Sequence, residues 1–452
     1  RTRLAERVRA RLARLAQEDG FRGVVMIDIG GQTVLAEAVG AADPTSGRPY
    51  RVDTQGEIGS ISKCFTAAAV LKLKDQGKLK LDDPIGRYLP NVPADKAGIT
   101  IRQLLTHTAG LPDYVPDAAG QLAPTRDDEA MTREEMERRV LIAPLAFEPG
   151  KGWAYSNAGY SLAAAIVERV SGRPIERFLI DEVLAPAGLR HTGFAAVYDE
   201  ASSDRSREGS SIRDASWGPQ GPQWALIGSG GMVSTAAEMI AWRRAFMAGK
   251  IVSPASVREA TTGGADEGRP GVAERYGLGV GLLDHPVYGR IIWHNGGNPW
   301  FTSDLRYFAD HDMTIYVHTN SRTSATEAAV VVTAAVFDRP EPAGAPQGSP
   351  GEAALAKSFV ETLRSPDSAA RRAYLEANVG PAFRKRDGME AIEARFTEVA
   401  AKVRDAEFVK LQFGGGRAYA IFRPKDGGPY IAVGLRFGGS PDAPKIANFY
   451  ID

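Results

Sequence analysis

Ser60 and Lys63 stand three residues apart in a stretch that is otherwise apolar and rich in alanine, residues 57–71. Side chains three residues apart on a helix lie on the same face, so the hydroxyl and the amine can meet. Burying a lysine as an ammonium is costly, and we therefore expect the pKa of Lys63 to fall. Unpaired N–H groups at the helix start would stabilise negative charge beside Ser60. The pair predicts nucleophilic catalysis, and a helix-capping serine with a solvent-facing lysine is the alternative.

Tyr155 and Asn157 form a second candidate group, in a Tyr-Ser-Asn sequence that follows Phe-Glu-Pro-Gly at 147–150. A tyrosine beside a lysine can act as a phenolate general base, and an asparagine amide can hold a substrate carbonyl. The tripeptide by itself is common, and a packed aromatic role for Tyr155 is the alternative.

Residues 294–297, His-Asn-Gly-Gly, form a third candidate group. Small residues let the backbone of a strand approach a ligand, and the N–H of Gly297 would pair with that of Ser60 as an oxyanion hole. His294 alone would more often be a hydrogen-bonded strand histidine. The Gly-Ser-Gly-Gly sequence at 228–231 predicts another loop of close backbone approach.

The elements that must position these groups come from both ends of the first 338 residues. The pattern predicts a charged amphipathic helix at 1–18, two strands within 21–39, and later strands at 277–283, 290–294, 302–308 and 313–319. An apolar helix at 323–337 follows them. Between the two ends, helices are predicted at 100–107, 161–170 and 180–184, with long loops at 112–132 and 199–223. This order indicates one sheet built from both chain ends, with a helical insertion.

A Pro- and Gly-rich linker is predicted at 339–351, between a domain at 1–338 and a smaller one at 352–452. The smaller domain is predicted to be α+β, with helices followed by a strand meander. Its helices are expected at 352–364, 368–378 and 388–403, and its strands at 409–413, 417–423, 429–437 and 445–451. It contains no histidine, and we expect it to serve packing, homo-oligomer formation or access to the site.

The composition bears on the kind of partner. Lys and Arg number 55 and Asp and Glu 55, which gives no reason to expect nucleic acid or an anionic membrane. The single cysteine, Cys64, excludes an intramolecular disulfide and a cysteine-based metal cluster, and we expect it to be a small core residue. No run is apolar enough to cross a bilayer, and no metal or cofactor is predicted. Because the chain starts at Arg1, we expect a processed or trimmed product. We expect a periplasmic or secreted protein, with a cytoplasmic location as the alternative.

In the order of these motifs, the sequence resembles members of the class C-like branch of the serine β-lactamase and penicillin-binding-protein family. That branch includes D,D-peptidases, D-aminopeptidases and family VIII-type esterases. The resemblance extends over roughly residues 15–337. It rests on Ser60-x-x-Lys63, Tyr155-x-Asn157 and His294-x-Gly296, together with the sequences at 104–112, 147–150, 230–235 and 319–320.

The resemblance implies a serine β-lactamase-like α/β (α+β) fold, with an antiparallel sheet from both chain ends and an inserted helical domain. It implies Ser60 as the nucleophile, Lys63 and Tyr155 together as the general base, and Asn157 as a residue that positions the substrate. The N–H groups of Ser60 and Gly297 would form the oxyanion hole. His107, within the 104–112 motif, is expected to be structural.

One departure from the family pattern concerns His294, Asn295 and Gly296, which stand where many members have Lys-Thr-Gly. We expect these three residues to contact the substrate. A histidine with a pKa near 6.5 is mostly neutral at pH 7 and offers little charge to a substrate carboxylate. The expected activity is therefore that of a serine hydrolase acting on a small ester, amide or peptide, with weak β-lactamase activity left open. The alternative is a penicillin-binding or receptor-like module with little turnover on the same scaffold.

Overall fold

The computed structural model describes residues 2–43, 46–116, 130–194, 223–267, 274–297, 301–321, 323–339, 349–414, 417–425, 431–440 and 443–451. The predicted loop at 199–223 lies outside the described residues except for Gln223, and so do most of the predicted loop at 112–132 and most of the predicted linker at 339–351. The chain divides into two compact units, Arg1–Glu341 and Pro342–Asp452. This boundary lies within the segment where the sequence predicts a linker.

An antiparallel sheet from both ends of the first unit forms its centre. Its eight described strands run in the order β2-β1-β13-β12-β11-β10-β9-β8. These strands are β1 (Gly23–Ile29), β2 (Gln32–Val39), β8 (Ala265–Asp266), β9 (Glu274–Tyr276), β10 (Gly281–His285), β11 (Gly289–Gly297), β12 (Thr302–Phe308) and β13 (Met313–Thr319). Because β1 pairs with β13, the first and last strands of the unit are neighbours in the sheet. The antiparallel sheet from both chain ends is thus confirmed.

Helices cover both faces of this sheet. α1 (Thr2–Glu18) and α10 (Ala325–Val336) pack on one face, where they bury Val25 and Ile27 of β1. Val24 and Met26, which alternate with them, belong to the core on the opposite face. There α8 (Ala236–Met247) packs on β1 and β13. Alternation of side chains along the strand therefore gives a layer of helices on each side.

The helical insertion contains the remaining helices of the first unit and a few short strands. The helices are α2 (Ser62–Asp75), α3 (Ile101–Leu105), α4 (Arg133–Ile142), α5 (Asn157–Ser171), α6 (Ile175–Leu179), α7 (Ala185–Ala187) and α9 (Pro254–Thr262). The short strands are β3 (Ala41–Asp43), β4 (Arg48–Pro49), β5 (Gly56–Glu57), β6 (Gly193–Phe194) and β7 (Met232–Ser234). α2 is buried on all sides over most of its length, as its apolar, alanine-rich sequence predicts.

The helix predicted at 161–170 begins four residues earlier, at Asn157. The Ser156 hydroxyl accepts the N–H of Gly159 at 2.9 Å and so caps this helix. Polar residues and a glycine in the first turn made the segment resemble a loop, although all of its first residues are buried. The earlier start places Asn157 at the first position of the helix, directly after the Tyr155-Ser156 dipeptide.

The second unit has its own hydrophobic core, which lies between helices and a four-stranded sheet. The helices are α11 (Pro350–Arg364), α12 (Ser368–Asn378), α13 (Pro381–Asp387) and α14 (Met389–Val403). The strands β14 (Glu407–Gly414), β15 (Arg417–Arg423), β16 (Ile431–Ser440) and β17 (Ala443–Ile451) pair in sequence order. The predicted helices followed by a meander are confirmed, and α13 was missed. In the described part of the chain, no helix combines the length and apolar character that a membrane crossing requires.

Candidate active site

Ser60 lies in a 3-10 turn, Gly59–Ile61, that leads directly into α2. The Ser62 hydroxyl donates to the Gly59 carbonyl at 2.7 Å and stabilises this turn. Lys63 follows in the first turn of α2 and is fully buried. Its Nζ lies 3.1 Å from Ser60 Oγ. The predicted contact between hydroxyl and amine is therefore present, and the alternative of a solvent-facing lysine is excluded.

Two further oxygens hold the Lys63 amine. Nζ donates to Asn157 Oδ1 at 2.7 Å and to the Ser229 carbonyl at 2.8 Å. Both oxygens are acceptors only, so two of the Nζ hydrogens are committed to them. The position that faces Ser60 can then be a third N–H of an ammonium or the lone pair of a neutral amine. A neutral Lys63 in this arrangement aims its lone pair at the Ser60 hydroxyl, as a general base must.

Asp113 fixes the orientation of the Asn157 side chain. Its Oδ1 accepts from Asn157 Nδ2 at 3.2 Å, so the amide oxygen is the atom that faces Lys63. Its backbone carbonyl also accepts the N–H of Asn157 at 2.6 Å. Asn157 thus reaches the site as predicted, and Asp113 is a supporting residue that the sequence analysis missed.

Tyr155 lies against the same amine. Lys63 Nζ is 4.7 Å from the centroid of the Tyr155 ring. The ring of His107 packs on Tyr155 with the centroids 4.3 Å apart, and His107 Nδ1 accepts the N–H of Ser156 at 3.0 Å. His107 therefore positions the segment that carries Tyr155, which is the structural role expected of it. The structure brings Tyr155 to Lys63, while its role as a base stays a prediction.

The backbone of β11 lies directly against the turn that carries Ser60. A Cβ added to Gly296 would be 2.1 Å from the Ile58 carbonyl oxygen and 2.5 Å from the Ser60 nitrogen. Gly59 has φ +50°, and a Cβ there would be 2.3 Å from the Gly297 nitrogen. The glycines are therefore needed for contact between two parts of the protein, as well as for any approach of a ligand. Ser60 and Gly297 therefore belong to two segments that are in contact, and the role of their N–H groups as an oxyanion hole stays a prediction.

His294 is 5% exposed, and both ring nitrogens bond within the protein. Nδ1 lies 2.6 Å from the Asn295 carbonyl and Nε2 lies 2.7 Å from the Tyr276 hydroxyl. Burial, together with the charge of Lys63, lowers the pKa of His294 to about 3, although the hydrogen bond to the Asn295 carbonyl opposes the shift. The ring is therefore neutral at pH 7, as expected, although its pKa lies well below the ordinary value near 6.5, and its contact with the substrate stays a prediction.

The side chain of Asn295 does not face the site. Its Nδ2 donates to the Thr326 hydroxyl at 3.2 Å, on α10. Side chains alternate along a strand, so Asn295 points away from the face that His294 and Gly296 share. The prediction that Asn295 contacts the substrate is wrong for its side chain.

Cys64 is a buried core residue, as predicted. Its Sγ donates to the Gly279 carbonyl at 3.0 Å. Burial raises the pKa of the thiol to about 12, so the group stays protonated. Within the described residues, no cluster of three or more His, Cys, Asp or Glu side chains could hold a metal ion.

Besides Asp113, the site contains the carbonyl of Ser229 and the hydroxyl of Tyr276, which were not predicted from the sequence. The Gly-Ser-Gly-Gly motif did indicate a close approach at 228–231, and what approaches there is the Lys63 amine. Tyr276 lies at the end of a three-residue strand between β10 and β8, and nothing in its local sequence signals a role.

Comparison with known proteins finds a matching family, relatives of similar sequence and solved structures of the same fold. The family described as Beta-lactamase matches residues 8–336. Penicillin-binding protein 4* of Bacillus subtilis is 29% identical over 329 residues, which is 68% of this chain and 69% of that protein. Esterase EstB of Burkholderia gladioli is 36% identical over 181 residues, which is 38% of this chain and 46% of that protein, so the match spans about half of its length. The octameric penicillin-binding protein homologue of Pyrococcus abyssi shares the fold, with a TM-score of 0.65, 19% identity, and coverage of 96% of this chain and 91% of that one.

Proposed function

Because this chain belongs to the beta-lactamase family, we propose that it is a serine hydrolase that transfers the acyl group of a small ester, amide or peptide first to Ser60 and then to water. The observation that carries the proposal is the distance of 3.1 Å between Ser60 Oγ and the Nζ of a fully buried Lys63. A hydroxyl paired with a buried amine, and flanked by a tyrosine and an amide side chain, is the residue set of nucleophilic catalysis.

In the acylation step, Ser60 Oγ attacks the carbonyl carbon of the substrate. Its proton passes to Lys63 and Tyr155, which together act as the general base. The electron pair of the carbonyl moves to its oxygen, where the N–H groups of Ser60 and Gly297 stabilise the negative charge. Collapse of this intermediate re-forms the carbonyl and breaks the bond to the leaving group. The leaving alcohol or amine takes the proton from Lys63 and Tyr155, and the acyl group remains as an ester on Ser60.

In the deacylation step, a water molecule attacks the ester carbonyl and gives a proton to Lys63 and Tyr155, which again act as the general base. The same two N–H groups stabilise the second oxyanion. When the ester bond breaks, Ser60 Oγ recovers the proton, and the carboxylic acid leaves. Asn157, whose amide oxygen is held on Lys63 at 2.7 Å, keeps the amine in line with Ser60 in both steps.

The charges of the site favour esters and uncharged amides or peptides over carboxylate-bearing β-lactams. His294 stands where the Lys-Thr-Gly sequence of many family members supplies a positive charge, and its low pKa keeps it neutral at physiological pH. A neutral, buried imidazole offers no ion pair to a substrate carboxylate. Esterase or peptidase activity is therefore proposed above β-lactamase activity.

The test is mass spectrometry of the intact protein after exposure to p-nitrophenyl esters, short D-peptides and β-lactams. We expect a mass increase equal to one acyl group, located on Ser60 by peptide mapping and absent from Ser60→Ala. Release of p-nitrophenol beyond one equivalent shows turnover, whereas a persistent adduct without turnover would favour the penicillin-binding alternative. Acylation at another residue, or none with any of these compounds, contradicts the proposal.

We also propose that the second unit takes no part in the chemistry and serves packing, oligomer formation or access to the site. Its core is separate from the two core clusters of the first unit. Each side chain placed in the proposed reaction belongs to the first unit.

A further inference from the structure

Tyr276 occupies a position between the two halves of the active site. It ends β9, is 4% exposed, and its ring packs on His107 with the centroids 4.4 Å apart. The same ring makes an edge contact with Tyr155, at 6.2 Å. Its hydroxyl lies 2.7 Å from Nε2 of His294, on the strand that continues to Gly297. The ring therefore touches the wall that carries the proposed base, and the hydroxyl touches the strand that carries the proposed oxyanion donor.

The direction of this hydrogen bond follows from the other nitrogen of His294. A carbonyl oxygen only accepts, so Nδ1, 2.6 Å from the Asn295 carbonyl, must carry the hydrogen. A neutral imidazole carries one N–H, which leaves Nε2 as an acceptor. Tyr276 must then donate, and burial raises the pKa of its hydroxyl well above the ordinary value, which keeps the donor protonated.

We propose that Tyr276 is a positioning residue for the reaction, which acts through His294 to hold β11 where the Gly297 N–H meets the oxyanion. This inference rests on the proposed function and goes beyond it, since it assigns the oxyanion geometry to one hydroxyl outside the reacting groups. Three observations carry it: the chain of bonds from Tyr276 through His294 to Asn295, the burial of Tyr276 and His294, and the contact of Gly296 with the Ser60 turn.

Alternatively, Tyr276 could contribute only through the packing of its ring. Removal of the hydroxyl alone distinguishes this packing role from the positioning role. Tyr276→Phe keeps the ring and its contact with His107 and removes only the donor. If the hydroxyl acts through His294, its loss leaves the Nε2 lone pair buried without a partner and loosens the strand. In His294→Leu the acceptor on β11 is gone, so Tyr276→Phe no longer removes a bond to that strand and should have little effect on kcat. A packing role predicts the same effect in both backgrounds.

The experiment measures kcat and KM for a neutral p-nitrophenyl ester in the unaltered enzyme, in Tyr276→Phe, in His294→Leu and in the double variant. We expect Tyr276→Phe to lower kcat about tenfold with KM changed less than about twofold, because the oxyanion forms only in the transition state. In the His294→Leu background the same change should lower kcat less than about twofold. Tyr307→Phe is the matched control, since it removes a hydroxyl from β12 of the same sheet, one that bonds to Asp312 at 3.2 Å.

Wild-type kcat in Tyr276→Phe, or an equal loss in both backgrounds, would overturn the inference. A second measurement covers a Tyr276→Phe variant that fails to fold: the imidazole nitrogen resonances of His294 in the unaltered protein, assigned by their loss in His294→Leu. They should show a neutral ring with hydrogen on Nδ1 at pH 7, and hydrogen on Nε2 would overturn the inference as well. Failure of every ester to acylate the unaltered enzyme overturns instead the proposed function on which the inference rests.

Discussion

At the scale of single residues, the Lys63 amine decides how Ser60 can react. The oxygens of Asn157 and Ser229 take two of its hydrogens, at 2.7 and 2.8 Å, and leave one position for Ser60. A proton moving between Ser60 Oγ and Lys63 Nζ therefore disturbs neither of the two bonds. The amine can accept and return a proton without rearrangement of its surroundings, which a general base requires in both acylation and deacylation.

Ser60→Ala should abolish turnover and leave the fold intact. Ser60 lies in a surface-accessible turn, and the helix behind it is stabilised by its own buried residues. Loss of a nucleophile typically removes several orders of magnitude of rate. The measurement is ester hydrolysis together with circular dichroism of both proteins. Wild-type rates from Ser60→Ala on every substrate found would show that another residue is the nucleophile.

His294→Lys should raise activity toward carboxylate-bearing substrates relative to neutral esters. The lysine ammonium would bring a positive charge to a site where His294 is neutral, and the Tyr276 hydroxyl can accept one of its hydrogens. We expect the ratio of kcat/KM for a cephalosporin to that for a neutral p-nitrophenyl ester to rise about tenfold, which corresponds to about 1.4 kcal/mol. His294→Gln, which adds no charge, is the control. An unchanged ratio in His294→Lys would mean that this position does not sense substrate charge.

His318 should make the protein less stable in mild acid. It is 3% exposed, and its ring nitrogens have no hydrogen-bond partner among the described residues. Burial lowers the pKa of His318 to about 4, whereas an unfolded histidine takes up its proton near pH 6.5. Between these values the unfolded state binds more protons, so the free energy of unfolding falls as the pH falls.

The measurement is urea unfolding at pH 7 and pH 5. His318→Leu should reduce the loss of stability between these pH values by about 2 kcal/mol relative to wild type. His191→Asn, a change at an exposed histidine, is the control and should leave the difference unchanged. Equal losses in wild type and His318→Leu would mean that His318 is protonated at pH 5 in the folded protein.

At the scale of elements, the site depends on three backbones that approach one another. The turn before α2 carries Ser60, the start of α5 carries Asn157, and β11 carries Gly296 and Gly297. β11 continues past its pairing with β10 and still pairs with β12 where it meets the turn. The Ser303 hydroxyl of β12 donates to the Ile58 carbonyl at 2.9 Å and joins the turn to the sheet. The position of Ser60 is thus set by the sheet as well as by its own helix.

Gly296→Ala should damage catalysis more than stability. The added Cβ would lie 2.5 Å from the Ser60 nitrogen, so the strand must withdraw from the turn. Overpacking of this kind costs about 1–3 kcal/mol, and loss of an oxyanion donor costs about a hundredfold in kcat or more. We expect kcat for an ester to fall at least about a hundredfold. Gly98→Ala, where nothing lies within 4 Å of the added Cβ, is the control. A Gly296→Ala variant with normal kcat would show that this close contact does not set the oxyanion geometry.

The sequence predicted the parts of the site that lie in short motifs. Ser60 and Lys63 share one helical turn, and the spacing alone brings them together. The supports of the site are different, because they depend on tertiary contacts: Asp113 and Asn157 are 44 residues apart, and Tyr276 and His294 are 18 apart on strands that are not direct neighbours. The face of the sheet to which the Asn295 side chain points depends on how the residues of β11 alternate between the two faces, and the motif does not reveal this. Motif spacing therefore gave the reacting groups and left out the residues that hold them.

At the scale of the whole molecule, the two units differ in what they contribute. The first unit joins its chain ends in one sheet and contains the complete set of proposed catalytic residues. The second has a compact core of aromatic and aliphatic side chains, in which Phe359, Phe396 and Phe449 pack edge to face or tilted. Each unit therefore has a hydrophobic core of its own, and we expect each to fold as a separate body.

A chain that ends at Arg339 should fold and keep its chemistry. The truncated chain retains α10 and the bond from the Arg339 N–H to the Ala334 carbonyl, at 2.8 Å, so the last helix of the first unit stays complete. The core clusters of this unit contain no residue beyond it among those described. We expect acylation of Ser60 by a p-nitrophenyl ester with a rate within about threefold of the full chain, since no group that touches the reacting atoms has been removed. Circular dichroism establishes folding, Ser60→Ala in the truncated chain is the control, and a change in sedimentation between the two lengths reports on oligomer formation. A truncated chain that is folded but cannot acylate Ser60 would make the second unit part of the active site.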